Sequence, residues 1–222
     1  MATLKKLRRI LLIDDHPIVR QGLRGLLEQS LEYSVCGEEA TVEDGLATLR
    51  STRPDAAIVD ISLGKESGLE FIVRARREDE NVAILVLSML DEMTYAERAL
   101  RVGANGYVMK REATDRLLVA LERVLSGKVY VSASVSDRLL TTLAKPGDGA
   151  RYPIDRLTDR ELEIFRLVGM GMRAVEMAER LGISQKTIET HRSRIKAKLG
   201  VETAAELVIQ AASWLRDGQI KA

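Results

Sequence analysis

Ile10-Leu11-Leu12-Ile13-Asp14-Asp15-His16-Pro17 decides the fold of this 222-residue chain. Four consecutive aliphatic residues without polar alternation suit a strand buried on both faces of a parallel sheet. The acids and the proline after them mark where a strand gives way to a helix. Four further runs repeat the plan: the weaker Tyr33-Ser34-Val35-Cys36, then Ala56-Ala57-Ile58-Val59, Val82 to Leu87, and Gly106-Tyr107-Val108-Met109. Between them lie apolar residues at helical spacing, such as Val19, Leu23, Leu26 and Leu27, or Leu117, Leu118, Leu121 and Leu125. Five strand-helix units in succession predict an open, doubly wound α/β domain over residues 1–126.

Beyond Ser126 the pattern changes. Residues 127–156 read as a linker, with a short helix over Ser132 to Leu143 and a flexible connection at Lys145-Pro146-Gly147-Asp148-Gly149. From 157 to 222 every signal is helical, and Thr158 with Glu161 and Thr203 with Glu206 both have the spacing of capping boxes. Hydrophobic residues at 45% and charged residues at 30% describe an ordinary globular protein. Cys36 is the only cysteine, so no intrachain disulfide can form, which suits a reducing cytoplasm. No apolar run has the length of a membrane span, and neither an export signal nor a membrane partner is expected. The formal charge of +1 hides an asymmetry: residues 1–126 carry −3 and the remainder +4. The basic part is where a polyanion could dock, provided the charges fall on one surface.

Function in a parallel sheet gathers at the C-terminal ends of the strands. There the runs deliver Asp14 and Asp15, Asp60, Ser88 and Lys110. Three carboxylates in one place repel unless a cation offsets them, and an all-oxygen pocket suits Mg²⁺. In that division of labour Asp14 and Asp15 hold the metal, Asp60 attacks a phosphoryl donor, and Lys110 and Ser88 contact the transferred group. Taken singly, each acid could equally be a helix cap or a solvated surface group.

The set Ile13-Asp14-Asp15-His16-Pro17, Val59-Asp60-Ile61-Ser62-Leu63-Gly64 through Gly68-Leu69-Glu70, Leu87-Ser88 and Gly106-Tyr107-Val108-Met109-Lys110 resembles the receiver domains of response regulators. That resemblance implies a flavodoxin-like five-stranded sheet and a sensor histidine kinase as phosphoryl donor. It assigns Asp60 as phosphoacceptor, puts Asp14, Asp15, Asp60 and the Ser62 backbone carbonyl around Mg²⁺, and makes Ser88 and Tyr107 coupled switch residues, Tyr107 turning inward on phosphorylation. Gly64 and Arg111 stand where many receivers have proline, so the Gly64 loop is expected to be the more mobile.

In the last third, Val175 to Leu181 reads as a helix stopped by Gly182, with Ser184 ready to cap a second helix. The second helix turns Ile188, Ile195 and Leu199 inward and Lys186, Thr190, Ser193 and Ala197 outward, flanked by Thr187, Glu189 and Arg194. Short polar groups on a basic helix suit a major groove: Glu189, Thr190 and Ser193 for base edges, and Lys186, Arg192, Arg194, Lys196 and Lys198 for phosphates. A solvated basic face that binds protein is the competing account. Leu157-Thr158-Asp159-Arg160-Glu161, Ile183 to His191 and Lys198-Leu199-Gly200-Val201 look like the LuxR-type helix-turn-helix, and with the receiver the chain is similar to the NarL/FixJ family. The family implies an all-α four-helix DNA-binding domain, paired half-sites on double-stranded DNA and a homodimer on phosphorylation. Its last helix, here about Ala204 to Leu215, would supply Leu207, Val208, Ala211 and Trp214 to the dimer, although packing on the domain's own core explains some of them equally well.

An enzyme with an aspartyl nucleophile would need a second acid two residues after Asp60, where this chain has Ser62, so no turnover is expected beyond Mg²⁺-dependent phosphorylation and dephosphorylation of Asp60 itself. A regulator that is never phosphorylated, and acts through constitutive dimerisation or ligand binding, stays open as the alternative.

Overall fold

In a computed structural model the described residues are 7–144 and 153–220. The chain divides into two compact units, Met1–Thr141 and Thr142–Ala222. The connection expected at Lys145 to Gly149 lies outside the described residues.

The first unit alternates strand and helix: β1 (Arg8–Ile13), α1 (Pro17–Gln29), β2 (Tyr33–Glu39), α2 (Val42–Thr52), β3 (Ala56–Val59), a β4–β5 hairpin (Ser62–Leu63, Glu66–Ser67), α3 (Gly68–Glu78), β6 (Ala83–Ser88), α4 (Glu92–Arg101), β7 (Gly106–Met109) and α5 (Ala113–Leu125). The main sheet is parallel in the order β2-β1-β3-β6-β7. Helices cover both faces. On one, Ile10, Leu12, Ile58, Leu85 and Leu87 pack with Leu23 and Leu27 of α1 and Leu117, Leu121 and Val124 of α5. On the other, Ile13 meets α2 and Phe71 of α3, so closely that a β-carbon on Gly45 would lie 3.0 Å from Ile13 and 3.2 Å from Phe71. The weak signal of β2 has a structural reason. It is an edge strand whose register slips between Ile10 and Leu11, and beyond Tyr33 its residues are only half-buried.

Two glycines shape the segment after β3. Gly64 turns the β4–β5 hairpin at φ 57°, a value closed to proline, whose ring fixes φ near −65°. The Gly64 loop forms a short paired hairpin, tied further to α2 because Glu66 accepts the Val42 N–H at 2.8 Å. Gly68 opens α3 against the backbone of Asp60. Nearby, the half-buried Arg76 guanidinium donates to the carbonyls of Gly103, Val82, Glu80 and Asp79 and to Asn105 Oδ1, fastening the turns around β6.

Residues 127–141, expected as linker, pack on the first unit. Tyr130 bridges in parallel to Gly106 at the sheet edge, and helix α6 (Ala133–Ala144) follows, with Val135 buried.

The second unit holds α7 (Asp159–Gly169), α8 (Ala174–Leu181), α9 (Gln185–Leu199) and α10 (Ala204–Ile220). Thr158 and Glu161 complete a capping box on α7, and Thr203 and Glu206 exchange the same two bonds before α10. Gly182 and Gly200 take left-handed conformations that end α8 and α9, and Ser184 caps α9 by accepting the Thr187 N–H. Helix α10 runs past the expected Leu215 to Ile220, through Gly218. One glycine costs only about 1 kcal/mol against alanine in a helix, too little to end one already anchored.

Candidate functional site

The strand order reverses around β1 and β3, and the crevice that this opens lies at their C-terminal ends. The backbone carries the ladder one step further there, with Asp14 donating to the Glu39 carbonyl at 3.0 Å and Asp60 to the Ile13 carbonyl at 2.8 Å. Both acids are thus fixed by the sheet and nearly sealed, at 2% and 3% exposure. Lys110, leaving β7 in a 3₁₀ turn, places Nζ 2.7 Å from Asp14 Oδ2 and 2.6 Å from Asp60 Oδ2. The other oxygens are held too: Asp14 Oδ1 accepts the His16 N–H at 2.9 Å and Asp60 Oδ1 the Ser62 N–H at 3.2 Å. Pro17 opens α1 and His16 is its N-cap without a side-chain cap bond, so the simple capping reading of Asp14-Asp15 does not hold.

Burial pushes the Asp60 carboxyl above its usual range; Lys110 pulls it back without overcoming that, and Asp14 adds to the rise. Burial also disfavours the Lys110 ammonium, but the two carboxylates outweigh it and hold lysine protonated to higher pH than usual. One ammonium faces two carboxylates, and the third acid, Asp15, lies beside His16. Asp15 Oδ1 is buried without a hydrogen bond, 2.7 Å from His16 Nδ1. Donor atoms from Asp14, Asp15, His16 and Asp60 all lie within 4.8 Å of one another, and the three carboxylates of this set, with their surplus negative charge, fit a hard divalent cation. His16 was not foreseen in it, because a histidine before a helix proline reads first as a turn residue.

Ser88 ends β6 fully buried, its Oγ accepting the Leu90 N–H at 3.3 Å. Tyr107 is 1% exposed and its hydroxyl donates to the Leu90 carbonyl at 2.9 Å. Burial, opposed by the Ser88 hydroxyl, raises that phenol well above the ordinary tyrosine range. Tyr107 thus points inward, because the loop after β6 offers a buried acceptor for its hydroxyl.

In the second unit, Ile188 and Ile195 of α9 are fully buried and Leu199 half-buried. Lys186, Glu189, Thr190, Ser193, Arg194 and Ala197 are exposed; Thr187, Arg192, Lys196 and Lys198 are half-buried. Three of the expected phosphate contacts already have partners: Arg192 pairs with Glu189 at 3.0 Å, Lys196 donates to the Glu202 carbonyl at 3.1 Å, and Lys198 lies 2.6 Å from Glu161. Glu161 is 3% exposed, and burial pushes its carboxyl up while Lys198 and Thr158 outweigh that and leave it below its usual range. The capping acid of α7 thereby ties down the far end of α9, a link across 37 residues that local spacing does not reveal. Lys198→Ala is expected to lower the unfolding free energy of this unit by about 1–2 kcal/mol, since it strips a buried acid of its cation while half-exposed water softens the loss. Urea denaturation checks it; an unchanged midpoint would make the pair a surface ornament. Of the expected dimer contacts, Leu207 and Ala211 belong to the unit's own core and Trp214 packs on Phe165 with ring centroids 5.7 Å apart, leaving Val208 exposed.

Comparison with known proteins matches both units. Residues 10–122 match the response regulator receiver domain, and residues 155–211 match bacterial regulatory proteins of the luxR family. The transcriptional regulatory protein MctR of Rhizobium johnstonii is 37% identical over 90% of this chain and 91% of its own. The response regulator UvrY of Escherichia coli is 30% identical over 89% and 90%. Among solved structures, the RcsB response regulator of Salmonella typhimurium aligns with a TM-score of 0.68 at 27% identity, covering 94% of this chain and 98% of that one. RcsB of Salmonella enterica serovar Typhimurium bound to the promoter rprA with phosphomimetic BeF3- aligns at 0.62 and 29%, covering 93% and 99%. Among the described residues no helix is long and apolar enough to cross a membrane. A receiver followed by a luxR-type helix-turn-helix, matched along nearly its whole length by transcriptional regulators, places this chain in the NarL/FixJ family of response regulators.

Proposed function

We propose that this response regulator accepts a phosphoryl group on Asp60 from the phosphohistidine of a sensor histidine kinase and in consequence regulates transcription through α9. The observation that carries it is Lys110 spanning Asp14 and Asp60 in a nearly sealed pocket. Mg²⁺, when bound by Asp14, Asp15, Asp60 and the Ser62 carbonyl, would neutralise charge on the phosphoryl oxygens. The residues do the rest: an Asp60 oxygen bonds to phosphorus as the phosphorus–nitrogen bond of the donor breaks, Lys110 shifts from carboxylate to phosphoryl oxygen, and the Ser88 hydroxyl leaves the Leu90 N–H to donate to a second phosphoryl oxygen. Residues 1–126 act as the receiver and 157–222 as the output domain, cytoplasmic and without turnover on an external substrate.

On α9, Glu189, Thr190 and Ser193 read base edges, with Lys186, Thr187 and Arg194 on the backbone and Arg192, Lys196 and Lys198 engaging phosphate only by leaving or sharing their protein partners. Two copies, joined on phosphorylation, meet paired half-sites about one DNA turn apart. The inward Tyr107 favours a second reading, a receiver already in its acting conformation that works without phosphorylation. Incubating the chain with Mg²⁺ and a small phosphodonor separates the two: the mass of one phosphoryl group on Asp60, with tighter DNA binding, is expected. No gain, with DNA bound regardless, would replace the first reading by the second.

A further inference from the structure

Helix α6 begins with an incomplete cap. Ser132 precedes it and its Oγ accepts the Val135 N–H at 3.3 Å, the first half of a capping box. The second half needs an acid or amide three residues on that reaches back to the Ser132 N–H. Val135 cannot do this and is buried instead, at 3% exposure. The missing acceptor comes from elsewhere in the unit: Glu92 Oε1, on the first turn of α4, accepts the Ser132 N–H at 2.7 Å over 40 residues of chain. The next residue of α4 holds α6 as well, through Arg138 Nη1 donating to the Met93 carbonyl at 2.9 Å.

The segment leading into α6 is bound to the same edge. The Tyr107 backbone N–H donates to the Tyr130 carbonyl at 2.8 Å and the Tyr130 N–H to the Asn105 carbonyl at 3.0 Å. Room for this exists because residue 106 is glycine; a β-carbon there would stand 2.8 Å from the Tyr130 carbonyl oxygen. Two residues before Glu92 in sequence lies Leu90, which binds Ser88 Oγ through its N–H and the Tyr107 hydroxyl through its carbonyl. The loop that reports on Asp60 and the acid that caps the linker helix are thus one short stretch, Ser88 to Glu92.

We propose that Glu92 is a positioning residue that completes the α6 cap in trans, holding residues 130–141 on the β7 and α4 edge until the Ser88 to Glu92 stretch rearranges. This rests on the reading of Asp60 as phosphoacceptor. When Ser88 turns to the phosphoryl group, Leu90 loses a partner, the first turn of α4 shifts, and α6 loses the acceptor at its N-terminus. Residues 130–141 are then freed from the β7 and α4 edge.

Hydrogen exchange by mass spectrometry on the full chain tests this. Without phosphodonor, Glu92→Ala is expected to speed exchange of peptides within 130–141 about five- to thirtyfold, the factor that a lost helix cap produces, with peptides of α5 unchanged. Glu92→Gln, which keeps an acceptor oxygen, should restore most of the protection. Wild-type chain carrying a phosphoryl group should show the same faster exchange. Unaltered exchange in Glu92→Ala would overturn the cap, and unaltered exchange in fully phosphorylated wild type would overturn the coupling alone. Failure of the wild type to gain mass would strike the phosphoacceptor reading and the coupling with it, while the phosphodonor-free comparison of Ala and Gln still decides whether Glu92 holds the helix.

Discussion

Asp60→Asn is expected to take up no phosphoryl group and, in the absence of divalent metal, to be more stable than the wild type. The first effect follows from chemistry, since an amide lacks the nucleophilic oxygen that must form the acyl phosphate. The second follows from the pocket. Lys110 is one ammonium between two carboxylates that are almost wholly buried, and burial holds Asp60 above its ordinary range despite that neighbour. A carboxyl whose folded value is raised contributes stability fully only below its unfolded value of about 3.9, and loses it as pH rises through the folded value. The wild type therefore carries a penalty at neutral pH that asparagine removes, while Asp14 alone still pairs with Lys110. A gain of roughly 1–3 kcal/mol is expected, the usual cost of a poorly compensated buried polar group. Thermal unfolding in chelator should show the difference growing as pH rises from about 4 and levelling above the folded value. Adding Mg²⁺ should narrow it by stabilising the wild type more. A variant that still gains mass would move the phosphoacceptor elsewhere, and one less stable than the wild type in chelator would show that Lys110 compensates the acids fully.

Gly68→Ala is expected to disable the receiver from outside the charged cluster. A β-carbon at 68 would lie 1.9 Å from the Asp60 carbonyl oxygen, 2.8 Å from its carbonyl carbon and 3.0 Å from Ile61 Cα. All three are backbone atoms, so no rotamer change relieves the clash, and the Gly68 N–H bonded to the Ile61 carbonyl at 2.8 Å keeps α3 from retreating. Either α3 or Asp60 must move. A destabilisation of about 3 kcal/mol or more is expected, at the upper end of overpacking penalties. Phosphoryl uptake should fall by more than about a hundredfold, since displacement by an ångström costs that much when reacting atoms must be aligned. Gly22→Ala supplies the contrast: nothing lies within 4 Å of its added β-carbon on α1, so that change should leave uptake alone and stabilise by about 0.5–1 kcal/mol. Normal uptake by Gly68→Ala would mean that the backbone around Asp60 is far more yielding than its packing suggests.

Much of this was legible in the chain itself. The runs from Ile10, Ala56, Val82 and Gly106 predict buried parallel strands because residues hidden on both faces need no polar alternation, and the acids ending them predict a charged crevice. Glycine after Leu181 and serine at 184 predict the helix-turn-helix because a left-handed stop and a side-chain cap are local requirements. Each depends on a residue and its near neighbours in sequence.

What the sequence by itself determined is therefore the order of elements and the residue types gathered at their ends. Only tertiary structure decided which charges are already spent: Lys110 on two acids, Lys198 on Glu161, Glu92 on the Ser132 amide. It also decided that Tyr107 faces inward and that Gly64 sits at the turn of a paired hairpin. The physical reason is plainest for the charged groups. A hydrogen bond or ion pair between residues about 40 or 50 apart forms only where packing brings its partners within reach, and no periodicity along the chain records that distance.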